Sequence, residues 1–259
     1  MALKNKRTLT ELLAMKYPEY GKDKIIALIA CRKVKVDNEI CCDPRALFHN
    51  DVPIVLIEDM YVSRGGVKLD YALNHWSIDP SGKIFLDAGS STGGFTDCLL
   101  RYGARLVHAV DVGYNQLDYR LRTDARVIVH ERQNIMDIRE LEPIPDAAVA
   151  DLSFRSIHKA ASHLFSLISG DWIICLVKPQ FEIPKGTPGF NGVVDDPLLI
   201  RDTLLHVKKS LFDDGIGMRD IVESPIHGRK GNREFLALLS RTVSLEEPTI
   251  AEKIERLTT

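Results

Sequence analysis

Apolar and polar positions follow two different patterns along the chain, and the change comes near residue 60. Before it, "LTELLAMKY" and "DKIIALIACR" repeat apolar residues with helical spacing, which predicts two amphipathic helices. "KVKVDNEI" then alternates around Asp37 and Asn38, which predicts a β-hairpin, and a further short apolar strand follows. This first part is therefore expected to be a small α+β unit.

After about Val67, short apolar segments mostly alternate with helical ones. The strands that this pattern predicts are "KIFLDAG", "RLVHAVDVG", "RVIVHERQ", "AAVADLSF", "DWIICLVKP", "IVESPI" and "EFLALLSRT". Alternating strands and helices are typical of a parallel sheet with helices on both faces, so we predict a Rossmann-like, seven-stranded α/β domain. Ligands bind at the carboxyl ends of the strands in such sheets, and we expect the chemistry at that edge.

The boundary between the two parts falls in the connector "MYVSRGG", where Gly65 and Gly66 indicate a break. A chain of 259 residues, 45% of them hydrophobic, is long enough for one or two cores. We therefore expect a first domain over residues 1–60, a linker over residues 61–66 and a second domain over residues 67–259.

The distribution of charge suits a polyanionic partner for the first domain. The net charge is only −2, but the first 35 residues hold nine Lys and Arg against three acidic residues. Basic faces attract nucleic acid, although an ordinary solvated helix face would give the same count.

The cysteines and the apolar segments bear on the cellular compartment. Five cysteines without a CxxC pair or a Cys/His metal spacing favour free thiols in a reducing cytoplasm and no bound metal. The sequence has no apolar signal segment, and no run reaches the roughly 20 apolar residues of a membrane span. A cytoplasmic protein without membrane association is expected.

A glycine-rich turn follows the first strand of the second domain, in the order D-x-G-x-x-x-G-G from Asp87 to Gly94. No GK[ST] follows, which excludes a P-loop, and Ser91 stands where a nicotinamide-binding turn needs its second glycine. The pattern instead suits S-adenosylmethionine, since no pyrophosphate has to be held and an acid at the strand end can bind the amino-acid portion.

The next two strand ends extend this hypothesis. Asp111 ends the second strand, where an acid binds ribose hydroxyls, and Asn134 follows the third, where an amide could meet adenine. Polar ends of an ordinary sheet are the alternative reading. The predicted cofactor contacts are Asp87, Gly89, Ser90, Ser91, Thr92, Gly93, Gly94, Phe95, Asp111 and Asn134.

Asp151 and Lys178 end two further strands and could lie side by side. "DLSF" after the fourth strand lacks the prolines typical of amino-group methyltransferases, and Cys175 lies inside a strand, unlike a nucleophilic thiol. An oxygen nucleophile therefore remains. Lys68 and Glu234 complete a candidate catalytic set, with Glu223 as a rival for the second acid and a merely solvated lysine as the alternative for Lys178.

With these residues assembled, the chain resembles the TlyA-type hemolysin family of ribosomal RNA methyltransferases, within the FtsJ-like class of ribose 2′-O-methyltransferases. The ordered motifs that carry the resemblance are "YVSRGGVKL", "LDAGSSTGGFTDCLL", "DVGYNQL", "ADLSF", "LVKPQFE" and "KGNREF". The resemblance implies methylation of a cytidine ribose in ribosomal RNA from S-adenosylmethionine. It also implies that the family's Lys-Asp-Lys-Glu catalytic set falls on Lys68, Asp151, Lys178 and Glu234.

The same family carries an N-terminal RNA-binding module shared with ribosomal protein S-four, to which the first domain is more loosely similar. Asp37-Asn38 stands here in place of the usual Asn-Gly. The resemblance implies ribosomal RNA or ribosomal subunits as partner, and no obligate protein partner is evident. The residues expected to hold RNA are Lys4, Lys6, Arg7, Lys22, Lys24, Arg32, Lys33, Lys35 and Arg64.

Two matters stay open at this point. Lys178 could accept the proton of the ribose hydroxyl or, staying charged, stabilise the developing alkoxide. The alternatives to an RNA methyltransferase are an RNA-binding ribosome-assembly factor with a vestigial cofactor pocket, a membrane-active cytolysin and a small-molecule O-methyltransferase.

Overall fold

The computed structural model describes residues 6–30, 32–57, 60–153, 156–183, 192–228, 230–241 and 248–259. The chain divides into two units, Met1–Asp59 and Met60–Thr259.

The first unit contains two helices and five short strands within its described residues. They are β1 (Lys6–Thr8), α1 (Leu9–Lys16), α2 (Lys22–Ala30), β2 (Val34–Val36), β3 (Glu39–Ile40), β4 (Leu47–His49) and β5 (Ile54–Leu56). β1 pairs with β4, and β2 pairs with both β3 and β5, all antiparallel. The hairpin predicted around Asp37 and Asn38 is confirmed, and both residues have the positive φ angles (50° and 67°) that a tight hairpin turn needs. The three-residue strands β1 and β4 were not predicted.

The helical spacing read from the first unit places its apolar residues in one core. Leu9 and Leu13 of α1 meet Ile25 and Ile29 of α2 there, beside apolar residues of β2 and β5. Thr8 caps α1, because its hydroxyl accepts from the amide of Glu11 while the Glu11 carboxylate accepts from the amide of Thr8.

The second unit is a sheet with helices on both sides. Its strands are β6 (Ile84–Ala88), β7 (Leu106–Asp111), β8 (Val127–Glu131), β9 (Ala147–Ala150), β10 (Trp172–Val177), β11 (Gly217–Glu223) and β12 (Phe235–Ser240). Its α-helices are α3 (Arg64–His75), α4 (Gly94–Arg101), α5 (Tyr119–Arg122), α6 (Ile157–Ser166), α7 (Pro179–Glu182), α8 (Pro197–Asp213) and α9 (Pro248–Leu257). A short 3₁₀ turn covers Ile135–Asp137.

The predicted seven-stranded α/β sheet is confirmed, with strand order β11-β12-β10-β9-β6-β7-β8. β6 to β10 run parallel, but β12 is antiparallel to both of its neighbours, so the expectation of a wholly parallel sheet is wrong at this strand. The reason is the connection from Ser224 to Glu234, whose described residues contain no helix. A connection of this kind returns the chain beside the strand that it has just left.

Successive side chains of each central strand point to opposite faces and enter two separate cores. Phe85 of β6 and Ile174 of β10 belong to the core that α3 and α4 cover. Leu86 and Cys175, their immediate neighbours in sequence, belong to the core that α6, α8 and α9 cover. Burial on both faces explains why these strands read as continuous apolar runs.

The first turns of α3 and α4 meet through two glycines. A Cβ atom on Gly66 would lie 2.2 Å from the ring of Tyr61, and one on Gly94 would lie 2.8 Å from the amide nitrogen of Gly66. The interpretation of Gly65 and Gly66 as a break is therefore wrong. Both residues lie in the first turn of α3. Gly66 is a glycine because no larger residue permits this close approach.

Candidate active site

The polar residues predicted at the strand ends lie along one edge of the sheet. The register aligns the ends of β6, β7 and β9 within one residue and sets the last residue of β10 opposite the first residue of β12. Asp87, Asp111, Asp151 and Lys178 stand at or beside the carboxyl ends of these parallel strands, and Glu234 directly precedes β12. Five chemically active side chains therefore share the edge at which α/β sheets bind ligands.

Lys178 and Asp151 form an ion pair on neighbouring strands. Lys178 Nζ lies 2.5 Å from Asp151 Oδ1 and 3.3 Å from the hydroxyl oxygen of Ser153, to which it donates. Only 8% of Lys178 is exposed, so its ammonium is largely removed from solvent. Pro179 begins α7 at once and favours extended backbone for the residue before it. Lys178 is accordingly extended, with φ −115° and ψ 102°.

Lys68 and Glu234 form the second pair, and both residues are buried. Lys68 comes from the first turns of α3, and its ammonium donates to Glu234 Oε2. Gly228 makes room for the acid, since a Cβ there would lie 2.6 Å from Glu234 Oε1. The two pairs, two lysines with two carboxylates, thus carry no formal net charge together, which limits the cost of burying them.

Glu223, the rival acid, is bound elsewhere. Its two carboxylate oxygens accept from Arg233 at 2.8 and 2.7 Å, a bidentate pair. Of the two acids it is Glu234 whose carboxylate contacts Lys68.

The turn after β6 is shaped by residues with left-handed backbone, Gly89 (φ 84°), Ser91 (φ 47°) and Gly93 (φ 92°). A Cβ on Gly89 would lie 2.6 Å from the carbonyl oxygen of Asp151, so a side chain there would push the two strand ends apart. Asp111 stabilises the turn, because its Oδ2 accepts a hydrogen bond from the amide of Ser91 at 2.9 Å. The sequence pattern therefore builds a tight backbone cradle beside Asp151.

The other predicted cofactor residues of this segment divide into two kinds. Ser90 and Thr92 lie on the turn, and Ser90 is buried. Gly93 packs against Leu121, and Phe95 is buried in the core with Gly65 beside it. Close packing therefore accounts for the residue types at Gly93, Gly94 and Phe95. Only the backbone of these three residues remains to contact a ligand.

Asn134 begins the 3₁₀ turn and caps it, since its side-chain oxygen accepts from the amide of Met136 at 3.1 Å. Its amide NH₂ is the group left to meet a base. Asp111 also accepts from the amide of Gly113 at 2.6 Å, and each of its oxygens keeps a further lone pair for a hydroxyl.

Asp87 is wholly buried, and only one of its two carboxylate oxygens has a hydrogen-bond partner among the described residues. The hydroxyl of Thr96 donates to its Oδ2 at 2.6 Å, whereas Oδ1 has no hydrogen-bond partner among the described residues. Burial is the main reason that the pKa of Asp87 is raised to about 7. The carboxylates of Asp151 and Asp111 add to this shift, and the Thr96 hydrogen bond opposes it. A cationic donor is the partner that this orphan oxygen lacks, which fits the ammonium of an amino-acid moiety.

The predicted RNA-contacting residues lie mostly on the surface of the first unit. Lys6, Arg7, Lys22, Lys24 and Arg32 are exposed. Lys33 and Lys35 are half-buried, and Lys4 lies outside the described residues. Arg64, in the second unit, is exposed and donates to the carbonyl of His227.

Three site residues escaped sequence reasoning, namely Ser153, Thr96 and Glu182. Ser153 accepts from Lys178 and Thr96 donates to Asp87, and their signal in the sequence was their place in "DLSF" and just after the glycine turn. Glu182 contacts Ser156 and Ile157, and no pattern in the sequence pointed to it. The sequence argues against Cys175 as a nucleophile, and in the structure this residue is wholly buried in β10, which raises the pKa of its thiol. Across the described part of the chain, no group of three metal-ligating side chains occurs and no helix could cross a bilayer.

Comparison with known proteins agrees with this geometry. The sequence profile of the FtsJ-like methyltransferase family matches residues 61–241. Hemolysin A of Brachyspira hyodysenteriae is 44% identical over 181 residues, which are 68% of this chain and 75% of the relative. The 16S/23S rRNA (cytidine-2′-O)-methyltransferase TlyA of Mycobacterium tuberculosis is 40% identical over 228 residues, covering 85% of this chain and 84% of that one.

A solved structure extends the likeness to both units. A candidate hemolysin from Streptococcus thermophilus superposes with a TM-score of 0.74 at 31% sequence identity, covering 98% of this chain and 96% of that chain. With the family profile spanning the whole strand edge that carries Asp87, Asp151, Lys178 and Glu234, this chain belongs to the FtsJ-like methyltransferase family.

Proposed function

We propose that this protein methylates the 2′-hydroxyl of a cytidine ribose in ribosomal RNA, with S-adenosylmethionine as methyl donor. The observation that carries the proposal is the pair of ion contacts, Asp151–Lys178 and Lys68–Glu234, beside the glycine cradle at one sheet edge. The relative from Mycobacterium tuberculosis, named for this reaction on ribosomal RNA, supports the choice of substrate.

The four side chains suit the chemistry of a poor nucleophile. A ribose hydroxyl is a weak acid, so attack requires removal of its proton or stabilisation of the charge that builds on its oxygen. Lys178 can serve in either way, and the carboxylate of Asp151, 2.5 Å away, holds its ammonium by charge. The Lys68–Glu234 pair would orient the ribose or Lys178 from the neighbouring strand. Holding both reactants in line would supply much of the acceleration.

The residues around the glycine turn fit the proposed cofactor. When bound, S-adenosylmethionine supplies a methyl group on a positively charged sulfur. Asp87 Oδ1 would accept from the cofactor's ammonium, Asp111 would accept from its ribose hydroxyls, and the Asn134 amide would meet the adenine. The unsatisfied Oδ1 of Asp87 supports this assignment most directly, because it is a buried acceptor that lacks a donor.

The first unit would bind RNA. Its exposed Lys6, Arg7, Lys22, Lys24 and Arg32 would contact the phosphate backbone without reading sequence. We therefore propose that the first unit, Met1–Asp59, is an RNA-binding domain and that the second, Met60–Thr259, is the catalytic domain, so that the residues predicted as a linker belong to the catalytic domain. The ribosomal substrate would place the protein in the cytoplasm.

Methyl transfer into isolated ribosomal subunits tests the proposed function. Purified protein, labelled cofactor and small or large subunits are incubated, and the labelled RNA is hydrolysed with alkali. We expect label at a cytidine whose 3′ linkage resists alkali, because a 2′-O-methyl group blocks the attack that cleaves RNA. Label in an alkali-sensitive nucleotide, or none in either subunit, would contradict the proposal.

Cofactor affinity should depend on pH through Asp87. In the free protein its pKa is about 7, and a bound ammonium would favour the charged carboxylate. We expect affinity to fall as the pH is lowered from about 7.5, where an α-ammonium group is still mostly charged, to about 6, with a proton released on binding below about pH 7. Calorimetry in two buffers of different ionisation enthalpy measures both effects. Asp87→Asn should remove the pH dependence and weaken binding by roughly 1.5–3 kcal/mol. Wild-type affinity that does not change over this range would contradict the assignment.

A further inference from the structure

A partly buried carboxylate outside the four-residue set lies at the far end of the short helix that follows Lys178. Glu182 is the last residue of α7, and its Oε1 accepts from the amide of Ile157 at 2.9 Å. Its Oε2 accepts from the hydroxyl of Ser156. Ser156 is the N-cap residue of α6 but makes no side-chain cap bond of its own, so Glu182 caps this helix from a different element.

These bonds join the two strand ends that carry the catalytic candidates. Asp151 follows β9 and Ser156 precedes α6, while Lys178 follows β10 and Glu182 ends α7. The two segments are bridged near the strands by Lys178, which contacts Asp151 at 2.5 Å and Ser153 at 3.3 Å. Glu182 bridges them a second time at the far end. With a single contact the two segments could rotate about it, whereas two separate contacts fix their relative orientation.

The helix between the bridges has little stability of its own. α7 has only four residues, and isolated helices of this length do not persist in water. Its position must therefore come from contacts with its surroundings. Pro179 is buried at the start of α7 and Ile183 is buried just after it, and Glu182 supplies the polar anchor between two elements.

The carboxylate is held by a chain of polar groups. Ser156 donates to Glu182, so its oxygen is free to accept from Nδ1 of His158, 2.7 Å away. The ring of His158 lies edge-on to that of His206 on α8, with centroids 6.5 Å apart. Burial raises the pKa of Glu182, whereas its bonds to Ser156 and Ile157 lower it. The Glu182 side chain is thus bound to the start of α6, and the His158 ring in the same hydrogen-bond chain contacts His206 of α8.

We propose that Glu182 is a positioning residue, which holds α7 against α6 and thereby keeps Lys178 in contact with Asp151. The proposal rests on the proposed function, because it assigns to Glu182 the orientation of the lysine that would act on the ribose hydroxyl. Glu182 itself would touch neither substrate nor cofactor.

Three substitutions of Glu182 test the proposal in the full chain. Glu182→Ala should lower the single-turnover rate of methyl transfer by about 10- to 100-fold with cofactor affinity unchanged, as expected when a supporting contact of a reactive group is lost. Glu182→Gln keeps the length and an acceptor for the Ile157 amide, and should retain the rate within about threefold. Glu182→Asp keeps the charge but is one methylene shorter, and should behave like alanine. If the alanine variant does not fold, the aspartate variant still tests the proposal.

Asp146→Ala is the matched control, because Asp146 Oδ2 also accepts a backbone amide, that of Ile84 at 2.7 Å, but at the opposite edge of the sheet. It should lower the melting temperature comparably and leave the rate unchanged. A parallel loss of rate in Asp146→Ala, or wild-type rate in both Glu182→Ala and Glu182→Asp, would overturn the proposal.

A crystal structure of the Glu182→Asp variant separates this proposal from the proposed function, since it needs no activity. We expect Lys178 Nζ to move beyond about 4 Å from Asp151, the usual limit of an ion pair. An unchanged Lys178–Asp151 contact would overturn the positioning role even if the enzyme methylates RNA. A displaced lysine in a protein without RNA methylation would leave the positioning role standing and reject the substrate instead.

Discussion

Lys178→Ala is expected to abolish nearly all methyl transfer, lowering the turnover rate by roughly 10²- to 10⁴-fold. The reason is that the ribose oxygen would lose the group that accepts its proton or stabilises its charge. Cofactor affinity should stay near that of the wild type, because Asp87, Asp111 and the glycine turn do not depend on Lys178 for their contacts. Single-turnover transfer into ribosomal subunits and calorimetry with the cofactor measure the two quantities.

Two further variants sharpen this prediction. Lys209→Ala removes an exposed lysine of α8 that pairs with Asp213 on its own helix, and it should leave the rate unchanged. Lys178→Arg keeps the positive charge but cannot act as a base. A rate within about tenfold of the wild type in this variant would indicate electrostatic stabilisation. If Lys178→Ala retains activity while binding cofactor normally, the catalytic assignment is wrong.

Breaking the Lys68–Glu234 pair is expected to have the largest effect on stability. Glu234→Ala should lower the free energy of unfolding by about 3–5 kcal/mol, because Lys68 would keep a buried charge without a partner. The double variant Lys68→Met/Glu234→Leu should recover most of that loss, since an apolar pair avoids the desolvation cost. It should nevertheless be inactive if the pair orients the reacting groups. Urea unfolding and methyl transfer give the two readouts.

The exposed pair Arg219–Asp171 provides the control for this experiment. Its atoms are 2.7 Å apart, but the two side chains are 43% and 53% exposed. Asp171→Ala should therefore change the free energy of unfolding by no more than about 1 kcal/mol. Equal losses in the buried and the exposed pair, or a double variant no more stable than Glu234→Ala, would contradict the argument from burial.

Much of this architecture follows from local pattern. Asp87, Asp151 and Lys178 could be expected at one edge because each directly follows or ends a buried strand of a parallel sheet, whose strands all end on the same side. The hairpin at Asp37 and Asn38 follows from residues that tolerate positive φ angles. These inferences need no knowledge of distant contacts.

Other features depend on contacts between distant parts of the sequence. Gly66 resembles a break in the sequence, whereas in the structure it lies in the first turn of α3, where the ring of Tyr61 and the backbone beside Gly94 leave room only for a glycine. Glu182 has no role that its neighbours in sequence reveal, because its partners lie on α6. The direction of β12 likewise depends on how the chain returns after β11.

The glycine contact between α3 and α4 has a consequence for how the proposed reactants would be aligned. Lys68 lies two residues beyond Gly66, and Gly94 directly follows the cradle proposed for the cofactor. Gly94 packs against the backbone of Gly65 and Gly66 and against the hydroxyl of Ser63, so neither helix start can move without displacing the other. The proposed cofactor cradle and the helix that carries Lys68 would then keep a fixed position relative to each other. The position of the Lys68 backbone relative to the proposed cofactor cradle would thus be set by a contact between two backbones.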